Sequence, residues 1–198
     1  MNKYSRLAVG MSALFDIILI STSVISVVSK DWNNLILSLT TILSLKLPFV
    51  ITYIANKKKL ALPPNFQFIL LLFIFSAQYL GEIKGFYLKL WWLDLLLHLV
   101  FGTYVVIISL YLIQGIFKKG TETTKQRFVL FTVIFPFRFT IALGTLWEMF
   151  EFIGDYLFNT KMIKGGLEDT ATDLLVKILA AFITSIIYYY RNLKRDFF

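Results

Sequence analysis

Uninterrupted apolar stretches of about 20 residues recur along this chain, and nothing else in it constrains the fold so strongly. At 1.5 Å of rise per residue each stretch is long enough to cross a hydrocarbon core of about 30 Å as a helix. Transmembrane strands are shorter and alternate with period 2, so a β-barrel does not fit solid apolar runs. Composition agrees: 58% of the 198 residues are hydrophobic and 16% are charged, with a mean hydropathy of +0.73. A water-soluble domain has about 25% charged residues, and that class is excluded. The chain reads as an all-α, polytopic transmembrane helical bundle of six spans at about 7–28, 35–55, 66–82, 92–117, 128–156 and 170–190. It forms one integral membrane domain over 1–198, without internal repeat or low-complexity tract. The apolar part of the first span is about 22 residues and no small-x-small cleavage site follows, so it is expected to remain as a span.

The net charge of +8 suits membrane orientation better than nucleic acid, because the basic residues cluster between apolar runs. Lys and Arg resist translocation. Twelve lie at the N-terminus, at Lys57 to Lys59, at Lys118 to Arg127 and in the tail, against five (Lys30, Lys84, Lys89, Lys161, Lys164) in the alternate loops. Both termini are therefore expected in the cytoplasm. Trp32, Trp91, Trp92 and Trp147 then fall at outer span ends, where indoles favour the interface. Without any Cys, the chain has neither disulfides, thiolate metal sites nor thiol nucleophiles.

The acids carry the functional signal. Of twelve carboxylates, eight (Glu82, Asp94, Glu148, Glu151, Asp155, Glu168, Asp169, Asp173) fall at or near the predicted outer ends of spans three to six. Asp94 and His98 are four apart and share a helix face, as do Asp169 and Asp173; Glu148, Glu151 and Asp155 follow an i, i+3, i+7 stripe. Asp169 to Asp173 also reads as an ordinary helix entry, since acids favour helix N-termini. At the C-terminal end of span five the helix dipole opposes negative charge, so those acids need either water and the loop lysines Lys161 and Lys164, or a partner. Ionisable groups within spans usually face a cavity or a partner. Lys177, one turn below Asp173, is placed to offset the negative cluster or to meet an anionic group. Nearer mid-membrane lie Asp16, Lys46 beside Pro48, and Arg138 after Pro136; Asp16 is expected to neutralise one of the two cations.

Carboxylates around the single histidine share protons or need a cation. Oxygen-rich donors with one nitrogen suit Mg²⁺, Mn²⁺, Ca²⁺ or Zn²⁺.

The segments Pro63-Pro64, Leu80-Gly81-Glu82, Trp91-Trp92-Leu93-Asp94 to His98, Gly102, Leu146-Trp147-Glu148-Met149-Phe150-Glu151 and Asp169-Thr170-Ala171-Thr172-Asp173 together resemble the YjdF-like family of uncharacterised bacterial inner-membrane proteins, over about residues 60 to 185. The resemblance implies a multi-pass protein of the bacterial cell membrane with a polar constellation at Asp94, His98, Glu148, Glu151, Asp169 and Asp173. In that family a Gly often stands near the position of Ala180-Ala181. The resemblance supplies no reaction.

Three function classes stay open. In the first, a metal-assisted hydrolase or transferase acts on a lipid-linked or envelope substrate; His98, Glu148, Asp169 and Asp173 hold the cation, and Glu151 or Asp94 is the general base. In the second, the outer acids collect a cation or proton for transport along Asp16, Lys46 and Arg138. In the third, the acids and His98 are a polar network that holds spans four to six together and function lies with a protein partner. The bilayer is the expected partner throughout, no motif supports nucleic-acid binding, and the oligomeric state is left open.

Overall fold

The computed structural model describes residues 4–116, 124–158 and 166–194, and these form helices joined by short turns and irregular segments, with no strand among them. Among the described residues, six helical stretches are long and apolar enough to cross a membrane: Arg6–Val28, Trp32–Lys57, Phe66–Ile83, Trp91–Ile113, Gln126–Ile153 and Leu167–Asn192. These agree with the six apolar runs to within a few residues. The chain is a multi-pass membrane protein whose apolar outer faces contact the bilayer. It divides into two compact units, Met1–Asp94 and Leu95–Phe198.

In the first unit α1 (Arg6–Val28) is capped by the Ser5 side chain, which accepts from the Ala8 N–H. The second span is two helices, α2 (Trp32–Ser44) and α3 (Leu47–Lys57), broken at Leu45–Lys46. Its apolar run looks continuous in sequence. The break follows from Pro48, which has no N–H to offer the Ser44 carbonyl and whose ring favours the first turn of a new helix. Span three begins as α4 (Phe66–Ile74) and continues as a π-helix over Phe75–Ile83. The Lys84 N–H closes that wider turn on the Tyr79 carbonyl at 2.9 Å. Gly81 permits it: a Cβ there would meet the Tyr87 ring at 2.3 Å, on the short helix α5 (Phe86–Lys89). The core of the unit is Phe15, Leu19, Leu45, Leu71, Ile74 and Phe75, with Phe15 stacked on Phe75 at 3.9 Å between centroids.

The second unit is built from α6 (Trp91–Ile116), whose first turn precedes the division, α7 (Lys125–Phe158) and α8 (Leu167–Lys194). At 34 residues, α7 is about 50 Å long and exceeds the hydrocarbon core, so it tilts or emerges from it. It carries Pro136 in its interior, and the Thr140 hydroxyl donates to the Pro136 carbonyl at 2.8 Å. Gly166, with φ +67°, turns the chain into α8, whose first-turn acids Glu168 and Asp169 meet a favourable helix dipole.

Close packing of α6 on α8 rests on Gly102. A Cβ there would stand 2.5 Å from the Lys177 carbonyl oxygen and 3.1 Å from the Ala180 Cβ. One turn deeper on α6, Val106 packs with Leu110 against the fully buried Ala181. Alanine at 180 and 181 therefore suffices, because the glycine that allows close approach is on the facing helix.

Candidate functional site

Four ionisable side chains of the second unit form two buried pairs. His98 Nε2 lies 3.1 Å from Asp173 Oδ2, with both side chains largely buried. The Lys177 ammonium donates to Glu148 Oε1, and these two are 2% and 4% exposed. Asp173 and Lys177 are four residues apart on α8, so one face of that helix presents both an acid and a base. Within hydrocarbon such charges are tolerated only when paired. Lys177 is matched accordingly by Glu148, and His98 makes its contact with Asp173.

Lys177 occupies a prepared slot. Gly144, one turn before Glu148 on α7, leaves room for its stem: a Cβ there would lie 3.3 Å from Lys177 Cδ. Gly102, one turn after His98 on α6, admits its backbone. The Phe101 ring stands 5.9 Å from the ammonium, close enough for a cation–π contribution. The other oxygen of the carboxylate, Glu148 Oε2, is buried and has no hydrogen-bond partner among the described residues. Each ionised carboxylate oxygen has two lone pairs to satisfy, so Glu148 keeps acceptor capacity that Lys177 does not use.

The remaining candidates fall around these pairs. Asp94 lies in the first turn of α6, four residues before His98 and on its face of the helix. Glu151, one turn beyond Glu148, is partly buried and accepts from Trp147 Nε1 at 2.8 Å. That bond gives Glu151 a fixed orientation. Asp169 stands one turn before Asp173 on α8. The structure thus sets His98 with Asp173 and directs Glu148 toward Lys177, with Glu151 held by Trp147. The side chain of Asp155 and the loop residues Lys161, Lys164 and Gly165 lie outside the described residues.

In the first unit Asp16 pairs with Lys46. Arg138 is on an exposed face of α7.

A family model described as "Predicted membrane protein (DUF2238)" matches residues 11–194. An uncharacterized protein of Thermotoga maritima is 28% identical over 153 residues, covering 76% of this chain and 73% of the relative. No solved structure matches. The YjdF-like resemblance drawn from residues 60 to 185 is consistent with this family of predicted membrane proteins, whose model covers nearly the whole chain.

Proposed function

The chain belongs to the DUF2238 family of predicted membrane proteins, and from that premise we propose that α6–α8 carry a divalent-cation site for hydrolysis or group transfer on a lipid-linked or envelope substrate. The observation that supports the reading is the contact of His98 Nε2 with Asp173 Oδ2 at 3.1 Å inside the membrane-spanning region. His98, Asp173 and Asp94 each offer one ligand atom, one nitrogen and two carboxylate oxygens. That donor set suits Mg²⁺, Mn²⁺, Ca²⁺ or Zn²⁺. Glu148 is charge-compensated by Lys177 and becomes a neighbour of the site rather than a ligand. Asp169, one turn toward the helix end, is a further carboxylate at its mouth.

A bound cation would polarise a substrate oxygen and activate water. Glu151, oriented by Trp147, serves as the general base in this reading. A substrate with an apolar tail and polar head fits a site within the spans near helix ends that carry Trp91, Trp92 and Trp147. The same reading puts the protein in the inner membrane of a bacterium, as the YjdF-like resemblance implies, with both termini in the cytoplasm and the site toward the outer leaflet.

The buried Lys177–Glu148 pair favours a second reading, in which the charged groups are a structural network that holds the helices together. Metal analysis of detergent-purified protein separates the two. The cation reading predicts near-stoichiometric metal in the wild type, lost in His98→Ala and in Asp173→Asn. A folded wild type that holds no metal even after addition of divalent cations overturns it and leaves the network.

A further inference from the structure

The first unit holds a charged group that the site on α6–α8 does not use. Asp16 lies near the middle of span one and Lys46 near the middle of span two, and they form an ion pair. Three features set it apart from a pair that merely neutralises two charges.

First, Asp16 is only half satisfied. Oδ2 accepts from the Lys46 ammonium, whereas Oδ1 is buried and has no hydrogen-bond partner among the described residues. Second, Lys46 lies in the break between α2 and α3. The break ends α2 in mid-span, and the negative end of a helix dipole attracts cations. The Ser44 carbonyl, two residues before Lys46, loses its helical donor because Pro48 has no N–H. Interrupted transmembrane helices use such half-helix ends and unwound carbonyls to hold small cations. Third, the Lys46 side chain remains 46% exposed, and its ammonium is held by a hydrogen bond to Asp16. The ammonium is therefore retained mainly by Asp16, on a flexible stem that can withdraw. The core beside the pair is irregular as well: Phe15, next to Asp16, stacks on Phe75, the residue at which span three passes into its π-helix. Such π turns recur at functional positions.

We propose that Asp16 binds a small monovalent metal cation, with sodium as the representative, and that Lys46 is the tethered cation it displaces. Exchange of one unit positive charge for another leaves Asp16 compensated throughout; the cost falls on the displaced ammonium, which withdraws on its flexible stem along the exposed side of the pair, and that cost sets how strongly Lys46 competes with sodium. The hard oxygen donor that the pair leaves open is Asp16 Oδ1. This exchange site is independent of the divalent site on α6–α8 and stands or falls separately.

The test follows the thermal unfolding midpoint of the purified full-length chain in detergent as sodium chloride replaces choline chloride at constant ionic strength. The wild type is expected to show a saturable, sodium-specific rise. Lys46→Met should shift half-saturation to at least tenfold lower sodium, since the internal competitor is gone. The double variant Asp16→Asn/Lys46→Met leaves neither charge unpaired and keeps the test valid if Asp16→Asn alone fails to fold; it should show no sodium dependence. Coincident sodium and choline curves in the wild type overturn the proposal, as does a sodium response that survives in the double variant. A Lys46→Met variant that is destabilised and not recovered by sodium reduces the pair to structural glue and equally overturns it.

Discussion

Lys177→Met tests how the second unit holds charge within the membrane. Lys177 and Glu148 are 2% and 4% exposed, and Glu148 Oε2 has no other donor among the described residues. Methionine nearly matches the stem in volume and fills the slot beside Gly144, so the packing loss is small. What changes is the charge: a buried carboxylate loses its counter-ion, and breaking such a pair costs about 3–5 kcal/mol. The assay is SDS-induced unfolding in mixed micelles, with Lys177→Met, Glu148→Gln and the double variant measured together. Each single variant should be strongly destabilised, and the double variant should recover most of the loss, since an uncharged pair of similar volume replaces the ion pair. A Lys177→Met protein within about 1 kcal/mol of the wild type would refute the reasoning, and so would a double variant no better than the sum of the singles.

Other consequences are as direct. Gly102→Ala sets a Cβ 2.5 Å from the Lys177 carbonyl oxygen, which must push two backbones apart; a loss of about 1–3 kcal/mol is expected in the same unfolding assay. Gly144→Ala, whose nearest neighbour is a side-chain carbon at 3.3 Å, should cost clearly less. Asp31→Ala removes the cap that accepts from the Asn34 N–H at the start of α2 and should cost about 0.5–2 kcal/mol by thermal unfolding. Because the chain contains no Cys, single cysteines report sidedness directly. In intact cells a membrane-impermeant maleimide should label Gly166→Cys and spare Lys58→Cys, and the reverse pattern would contradict the orientation expected from the lysine and arginine distribution.

The spans were legible because hydrocarbon thickness and helix rise leave little choice for a run of twenty apolar residues. The irregularities inside them were less so. Pro48 is compatible with both a kinked helix and two helices, and only the position of Lys46 in the chain break shows which. The π-helix at Phe75–Ile83 depends on Gly81 accommodating the Tyr87 ring, a contact between residues with no helical spacing to announce it. The acids of the candidate site could be found from their spacing, since i, i+3 and i+4 offsets place side chains on one face. Their partners could not, because pairing across helices depends on rotation and depth. Spacing alone suggested Glu148 as a ligand; Lys177, 29 residues away, reaches it through the gap left by Gly144. A usable signal was present: each of Gly102 and Gly144 lies four residues from an ionisable group, His98 and Glu148, marking where a facing helix comes close. The Asp16–Lys46 pair was within reach of sequence reasoning because mid-membrane charges have few possible partners, although the choice between Lys46 and Arg138 needed the fold.

The proposed cation site rests on a histidine that is the only one in the chain, and this permits an unambiguous measurement. Tag-free protein loaded with Mn²⁺ can be examined by pulsed electron paramagnetic resonance for coupling to imidazole nitrogen. The account predicts a histidine-nitrogen modulation on bound Mn²⁺, present in the wild type and absent in His98→Gln, with bound metal also lost in Asp173→Asn. Bound Mn²⁺ without that coupling, or a folded wild type that binds none, would contradict the assignment of His98 and Asp173 as a metal site.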